Sequence, residues 1–189
     1  LRVEGVSGSE GERMVADIHR METMISEVLA FSAANRNAEP AERTELRALV
    51  ADCIEAGMYE SQVLLEDGAP VHCSVGPIRL GRAVGNLLDN AGKWTRSRVV
   101  VDVQAAGEQL CVTVDDDGPG IPDAERERMF ERGVQGDERR PGSGLGLDIV
   151  RTLAETYGGS VQALASPLGG LRMRLCLPAA DGAAPSAGG

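Results

Sequence analysis

Three separated stretches between residues 80 and 147 combine amides, carboxylates, cations and glycines in patterns that can do chemistry. In LGRAVGNLLDNAGKW (Leu80–Trp94), Asn86, Asn90 and Lys93 recur at steps of four and three, which puts them on one stripe of a helix. Amide oxygens are hard, neutral ligands suited to a magnesium ion, and the Lys93 ammonium offers a point charge to phosphate. In DDGPGI (Asp116–Ile121) a carboxylate ends a strand, and Gly118 and Gly120 leave room for a flat group to approach the backbone. Such a carboxylate accepts a hydrogen bond from an exocyclic amine like the adenine N6. In PGSGLGL (Pro141–Leu147), Gly142, Ser143, Gly144, Leu145, Gly146 and Leu147 lead into a helix, whose first N–H groups and positive end suit phosphate oxygens. Arg132, Arg139 and Arg140 stand nearby and can grip phosphates with two parallel hydrogen bonds. Each stretch alone also reads as something plainer: a solvated polar stripe, a tight turn, a glycine-rich loop with surface charges. Together they describe a pocket for ATP and its magnesium ion.

The glycine run is not a Walker A loop, because no Gly-Lys-Ser/Thr follows, and not a dinucleotide fingerprint, because a loop precedes it. The elements around the three stretches must therefore position them differently. Leu80, Val84, Leu87, Leu88 and Ala91 give the amide-rich segment one apolar face, predicting a helix over about 78–94. A helical pattern also runs over about 42–56. Residues 61–75 read as two short strands around the turn Asp67-Gly68. Alternation predicts strands at 98–103 and 110–114 joined as a hairpin, with Val112 and Val114 facing inward. A short helix from Pro122, a charged loop to Gly146, a helix to Tyr157 stopped by Gly158-Gly159, and strands at about 160–165 and 172–177 complete the order. Helices and strands alternate without the rhythm of a parallel sheet, so the expected fold class is α+β: a two-layer sandwich with helices on one face of a mixed sheet. Ahead of it, Met14, Ile18, Met21, Ile25 and Val28 form a heptad seam on a helix over about 11–34, which suits a small helical bundle, even one shared with a second copy. Residues 34–43 read as a linker, and 179–189 as a disordered tail.

The 189 residues suffice for one buried domain plus an accessory segment, with a core of aliphatic residues because only two Phe, two Tyr and one Trp are present. A net charge of −10 argues against a broad nucleic-acid footprint. No apolar run is long enough to span a bilayer and no signal peptide shows, so membrane attachment is expected only through upstream sequence. Cys53, Cys73, Cys111 and Cys176 are far apart among apolar neighbours and read as buried free thiols of a reducing, cytoplasmic compartment.

The combination resembles sensor histidine kinases of two-component systems. Asn86…Asn90 with Lys93 looks like their N box, DDGPGI their G1 box, Met129-Phe130-Glu131-Arg132 their F box and PGSGLGL their G2 box, in the family's order. The likeness covers about residues 42–178 and extends to the superfamily shared by gyrase, Hsp90 and MutL. It implies a Bergerat fold with residues from about Pro122 to Gly142 as a mobile lid over ATP, anchored by Phe130. By that likeness Asn90 and Asn86 hold magnesium and phosphates, Asp116 reads adenine, and Lys93 and the arginines grip phosphate. Trp94, where Tyr is usual, lines the nucleotide, and Leu171 follows Gly170 where many members carry a hydroxyl residue. The implied organisation is a remnant of the dimerisation and phosphotransfer hairpin (1–35, mainly its second helix), a linker (36–43), the catalytic ATP-binding domain (44–178) and the tail. The implied partners are a second copy bound through the N-terminal helices and the receiver domain of a response regulator. The phosphoacceptor motif is expected upstream of Leu1. His19 lacks its acidic neighbour and His72 falls in a strand, so structural roles are expected for both, and no residue here is assigned as catalytic.

A clamp of the gyrase, Hsp90 or MutL kind is the alternative. Those proteins hydrolyse ATP with a Glu four residues before the metal-binding Asn, and here that position is Asn86. A degenerate module that only dimerises, and a serine kinase of the anti-sigma type, are the remaining readings.

Overall fold

In a computed structural model, residues 42–130 and 146–180 are described. The heptad helix, most of the linker, Arg132, Arg139, Arg140, the run Gly142–Leu145 and the tail beyond residue 180 lie outside the described residues. The elements run β1 (Thr44–Glu45), α1 (Leu46–Ala56), β2 (Gln62–Leu65), β3 (His72–Cys73), α2 (Pro77–Trp94), β4 (Arg98–Ala106), β5 (Gln109–Asp116), α3 (Asp123–Arg126), a 3₁₀ turn (Arg128–Phe130), α4 (Gly146–Thr156), β6 (Ser160–Ala165) and β7 (Leu171–Pro178). Five strands form one mixed sheet in the order β2-β4-β5-β7-β6, with β2 parallel to β4 and the other pairs antiparallel.

Strand alternation decides which face is covered. Val99, Val101 and Val103 of β4, Leu110, Val112 and Val114 of β5, and Leu171, Met173, Leu175 and Leu177 of β7 are all buried. They meet Leu80, Ala83, Val84, Leu87, Leu88 and Ala91 of α2, Leu46 and Val50 of α1, and Val150, Leu153 and Ala154 of α4 in one core. The sheet's other face carries polar positions such as Thr113 and the pair Arg172–Asp115, whose guanidinium grips both carboxylate oxygens at 2.7 and 2.8 Å. Burial, rather than capping, fixes α2. Its Gly76 cap makes no side-chain hydrogen bond, worth typically ~1 kcal/mol, whereas each fully buried Leu or Val contributes roughly 1.5–3 kcal/mol. The same six-residue stripe leaves Asn86, Asn90 and Lys93 on the helix's flank.

Three expectations are corrected. The two strands within 61–75 exist but do not pair with each other: β2 joins β4 in parallel, and β3 pairs with β1 in a separate two-stranded sheet. Arg47 holds the connecting segment instead, donating to the carbonyls of Glu66, Ala69 and Val103. The first helix begins at Leu46 rather than Glu42, because Glu45 caps it by accepting from the N–H groups of Arg47 and Ala48 at 2.9 and 2.6 Å. Cys111 and Cys176 are not free thiols: they are joined as a disulfide. They face each other across β5 and β7, with Cα atoms 4.1 Å apart and a sequence separation of 65. Cys73 is a buried thiol as expected, and Cys53 a half-buried one; burial raises the pKa of both. Among the described residues no helix is long and apolar enough to cross a membrane.

Candidate functional site

The alternation that sends Leu110, Val112 and Val114 into the core brings Asp116, the last residue of β5, to the same side of the sheet. Asp116 is only 2 % exposed. Its Oδ1 accepts the N–H groups of Gly118 at 2.8 Å and Leu171 at 3.1 Å, while Oδ2 takes no hydrogen bond from the described residues. Burial pushes its pKa up; the two N–H donors oppose that, and the neighbouring Asp117 and Asp115 add to the rise. Two glycines make this placement possible. A Cβ on Gly170 would fall 2.1 Å from Asp116 Oδ1, and one on Gly118 would fall 2.4 Å from the Trp94 carbonyl oxygen.

Asp116 forms one wall of a cavity of about 430 Å³, and α2 forms another with Asn90 and Trp94. The rest is lined by Pro119, Gly120, Ile121 and Pro122 after β5, by Glu125, Arg128 and Met129 of α3 and the 3₁₀ turn, and by Leu147 and Leu171. The composition is that of a small-molecule site, with an apolar body and few convergent polar groups. The Asn90 side-chain nitrogen is buried without a hydrogen-bond partner among the described residues. An unpaired buried amide costs about 1–3 kcal/mol, and rotating the side chain exchanges its oxygen and nitrogen. A ligand that engages this amide relieves that deficit. Among the described residues no group of three or more His, Cys, Asp or Glu could hold a metal ion. The Asn90 amide is a hard, neutral group of the kind that could complete the shell of an ion held mainly by ligand phosphates and water, as magnesium is.

Of the residues singled out from the sequence, the structure gathers Asn90, Trp94, Asp116, Gly120, Ile121 and Leu147 around one cavity. Gly118 stands behind it as a donor to Asp116. Asn86 lies against the start of α4, where a Cβ on Gly146 would come 3.2 Å from its Oδ1. Lys93 is exposed on the last turn of α2, outside the lining. His72 is in β3, the strand placement expected for it. Phe130 is buried in the core at 8 % exposure. Sequence reasoning missed Glu125 and Arg128, a pair three apart beginning just after Pro122, and it missed Gly170. Leu171 departs from the family pattern in its side chain, yet it contributes through its backbone N–H and lines the cavity.

The family described as "Histidine kinase-, DNA gyrase B-, and HSP90-like ATPase" matches residues 76–181. The sensor protein kinase CarS of Pseudomonas aeruginosa is 48 % identical over 95 residues, 50 % of this chain and 21 % of that protein. The sensor histidine kinase CpxA of Escherichia coli is 30 % identical over 189 residues, 94 % of this chain and 41 % of its own. Among solved structures, the mycobacterial sensor histidine kinase MprB matches with a TM-score of 0.63 at 31 % identity, covering 74 % of this chain and 97 % of that one. The ATP binding domain of PrrB from Mycobacterium tuberculosis matches with a TM-score of 0.62 at 28 % identity, covering 73 % and 96 %. The chain spans about two fifths or less of the length of the curated relatives it matches. A buried carboxylate at a strand end, an amide-bearing helix opposite it and an α+β sandwich thus meet a match over residues 76–181: the chain belongs to the histidine kinase-, DNA gyrase B- and HSP90-like ATPase family, as an ATP-binding domain of the sensor histidine kinase type.

Proposed function

We propose that this domain binds Mg-ATP in the cavity between α2 and the end of β5 and, within a longer protein, presents the γ-phosphoryl group to a histidine. From there the group would pass to an aspartate of a response-regulator receiver domain. The observation that carries the reading is the half-satisfied, buried Asp116, whose Oδ2 is left to accept the adenine amine. Ile121, Met129, Leu147 and Leu171 offer apolar contact to the base, and Trp94 flanks the nucleotide from α2. Asn90 and Asn86 are the amides we assign to the metal and phosphates. Lys93, Arg128, Arg132 and Arg140 supply positive charge, and the run Gly142–Leu147 supplies backbone N–H groups. Bound magnesium would neutralise phosphate charge and orient the transferring group. Phosphoryl transfer asks the protein mainly for such positioning and neutralisation. The residue four before Asn90 on the same helix is Asn86, an amide that cannot act as a base for water, and this disfavours an ATP-hydrolysing clamp. The N-terminal helix would pair two copies in the parent protein. Its compartment is cytoplasmic on the strength of ATP use; the cysteines, two of them joined, do not argue for it.

Incubation of the 189-residue chain with γ-labelled ATP should leave it unlabelled while calorimetry detects nucleotide binding. Label on His19 or His72, or an ATPase rate abolished by changing one carboxylate, overturns the reading.

A further inference from the structure

Asp117 is absent from the cavity lining, yet it takes four hydrogen bonds. Its Oδ1 accepts from the Thr95 hydroxyl at 2.6 Å, the Arg96 N–H at 2.7 Å and the Ser97 N–H at 3.1 Å. Its Oδ2 accepts from the Ser97 hydroxyl at 2.6 Å. All the donors belong to the short turn that joins α2 to β4, directly after Trp94. The Ser97 and Thr95 hydroxyls, with the backbone N–H groups of Ser97 and Arg96, hold this carboxyl far below the usual carboxylate range. It therefore stays ionised, with acceptors only, at any pH near neutral. On the other side of the junction, Gly118 lets the backbone close against the Trp94 carbonyl, 2.4 Å from where a Cβ would stand.

The two ends of the site sit on two elements: Asn90 and Trp94 on α2, Asp116 at the end of β5. Between those elements the contact is largely apolar, through residues such as Leu87, Leu88 and Ala91. Apolar contact is non-directional, so by itself it sets the register of a helix less sharply than directional bonds do. Hydrogen bonds are directional, and four on one carboxylate define a register. We propose that Asp117 is a positioning residue that latches the turn after α2 to the end of β5, and so sets the distance between the phosphate-and-metal end of the site and its base-reading end. The proposal rests on the nucleotide reading above.

A latch of this kind matters for a ligand that touches both ends and little for one that touches only Asp116. Destabilisation alone scales both affinities by the same folded fraction, so their ratio isolates positioning. The test is the affinity of the 189-residue chain for Mg-ADP, by calorimetry, and for adenosine, by ligand-observed NMR. Both are measured at a temperature where circular dichroism shows each variant folded. Asp117→Ala should weaken Mg-ADP roughly 10-fold, within the range that small misplacements produce, and adenosine less than about 3-fold. Asp117→Asn, which keeps an acceptor for part of the turn, and Ser97→Ala, which removes one hydrogen bond, should shift the same ratio by less. If Asp117→Ala does not fold, those two milder variants carry the test. Equal loss for the two ligands, or unchanged Mg-ADP affinity in folded variants, overturns the latch alone. A wild-type chain that binds neither ligand overturns the nucleotide reading and the latch with it.

Discussion

Replacing Asp116 should move stability and ligand affinity in different directions depending on the replacement. Asp116→Asn keeps an oxygen for the N–H groups of Gly118 and Leu171, now at 2.8 and 3.1 Å from Oδ1. It also removes a buried charge whose pKa burial has raised. The folded state should therefore be as stable as the wild type or more so. The side-chain nitrogen, however, would face the cavity where Oδ2 now stands, setting a donor against the donating adenine amine. Losing a hydrogen bond to a charged group costs about 1.5–3 kcal/mol, or roughly 10- to 150-fold in affinity at 1.4 kcal/mol per tenfold. Asp116→Ala loses the same contact with the ligand but also strands two buried N–H donors. At about 1–3 kcal/mol for each of the two groups left unpaired, that variant should lose about 2–6 kcal/mol of stability. Thermal melts followed by circular dichroism, paired with calorimetric titration of Mg-ADP, separate the two outcomes. If the Asn variant melts as early as the Ala variant, or if it binds Mg-ADP with wild-type affinity, the assignment of Oδ1 to the fold and Oδ2 to the ligand is wrong.

Because Asp116 has a raised pKa in the folded state, its contribution to stability is fully present below its unfolded pKa and fades as pH rises through the folded one. Affinity runs the other way: Mg-ADP binding should fall as pH drops through that raised pKa in the wild type, and this step should be missing from the pH profile of Asp116→Asn. Gly170→Ala should prevent the Asp116 carboxylate from holding its place, since the added carbon comes 2.1 Å from Oδ1 and 2.5 Å from the Asp116 carbonyl oxygen. Overpacking of this sort costs typically about 1–3 kcal/mol, and a Gly170→Ala chain with wild-type melting and wild-type Mg-ADP binding contradicts the cradle. The link between Cys111 and Cys176 closes a loop of 65 residues, worth about 4 kcal/mol by loop entropy. A reductant should therefore lower the melting temperature by on the order of 10 °C, and a Cys111→Ser chain should be indifferent to it.

Much of this was legible in the sequence because periodicity reports burial directly. The apolar stripe of α2 forecast which side of that helix would carry Asn90, and the alternation of β5 forecast that Val112 and Val114 would face inward, ahead of a carboxylate at the strand end. Long-range pairing was not legible in the same way. Nothing local in Gln62–Leu65 says that it lies parallel to β4 rather than folding back on His72–Cys73; that choice is made by the sheet. The same blindness hid the disulfide, since Cys111 and Cys176 become neighbours only when β7 pairs with β5. It also hid Gly170, whose need for glycine arises from a carboxylate more than fifty residues away. Glu125 and Arg128 went unseen because a four-residue helix shows no periodicity, and only the packing of α3 beside the cavity reveals them.

Trp94 gives the most direct test, for it is the chain's single tryptophan and it lines the cavity. Titrating ADP with magnesium should produce a saturable change in its fluorescence, weaker by roughly tenfold or more in affinity for Asp116→Asn and diminished when the metal is chelated. An emission spectrum that stays flat across the titration in folded wild-type protein, with no heat of binding in calorimetry, contradicts the account at its centre.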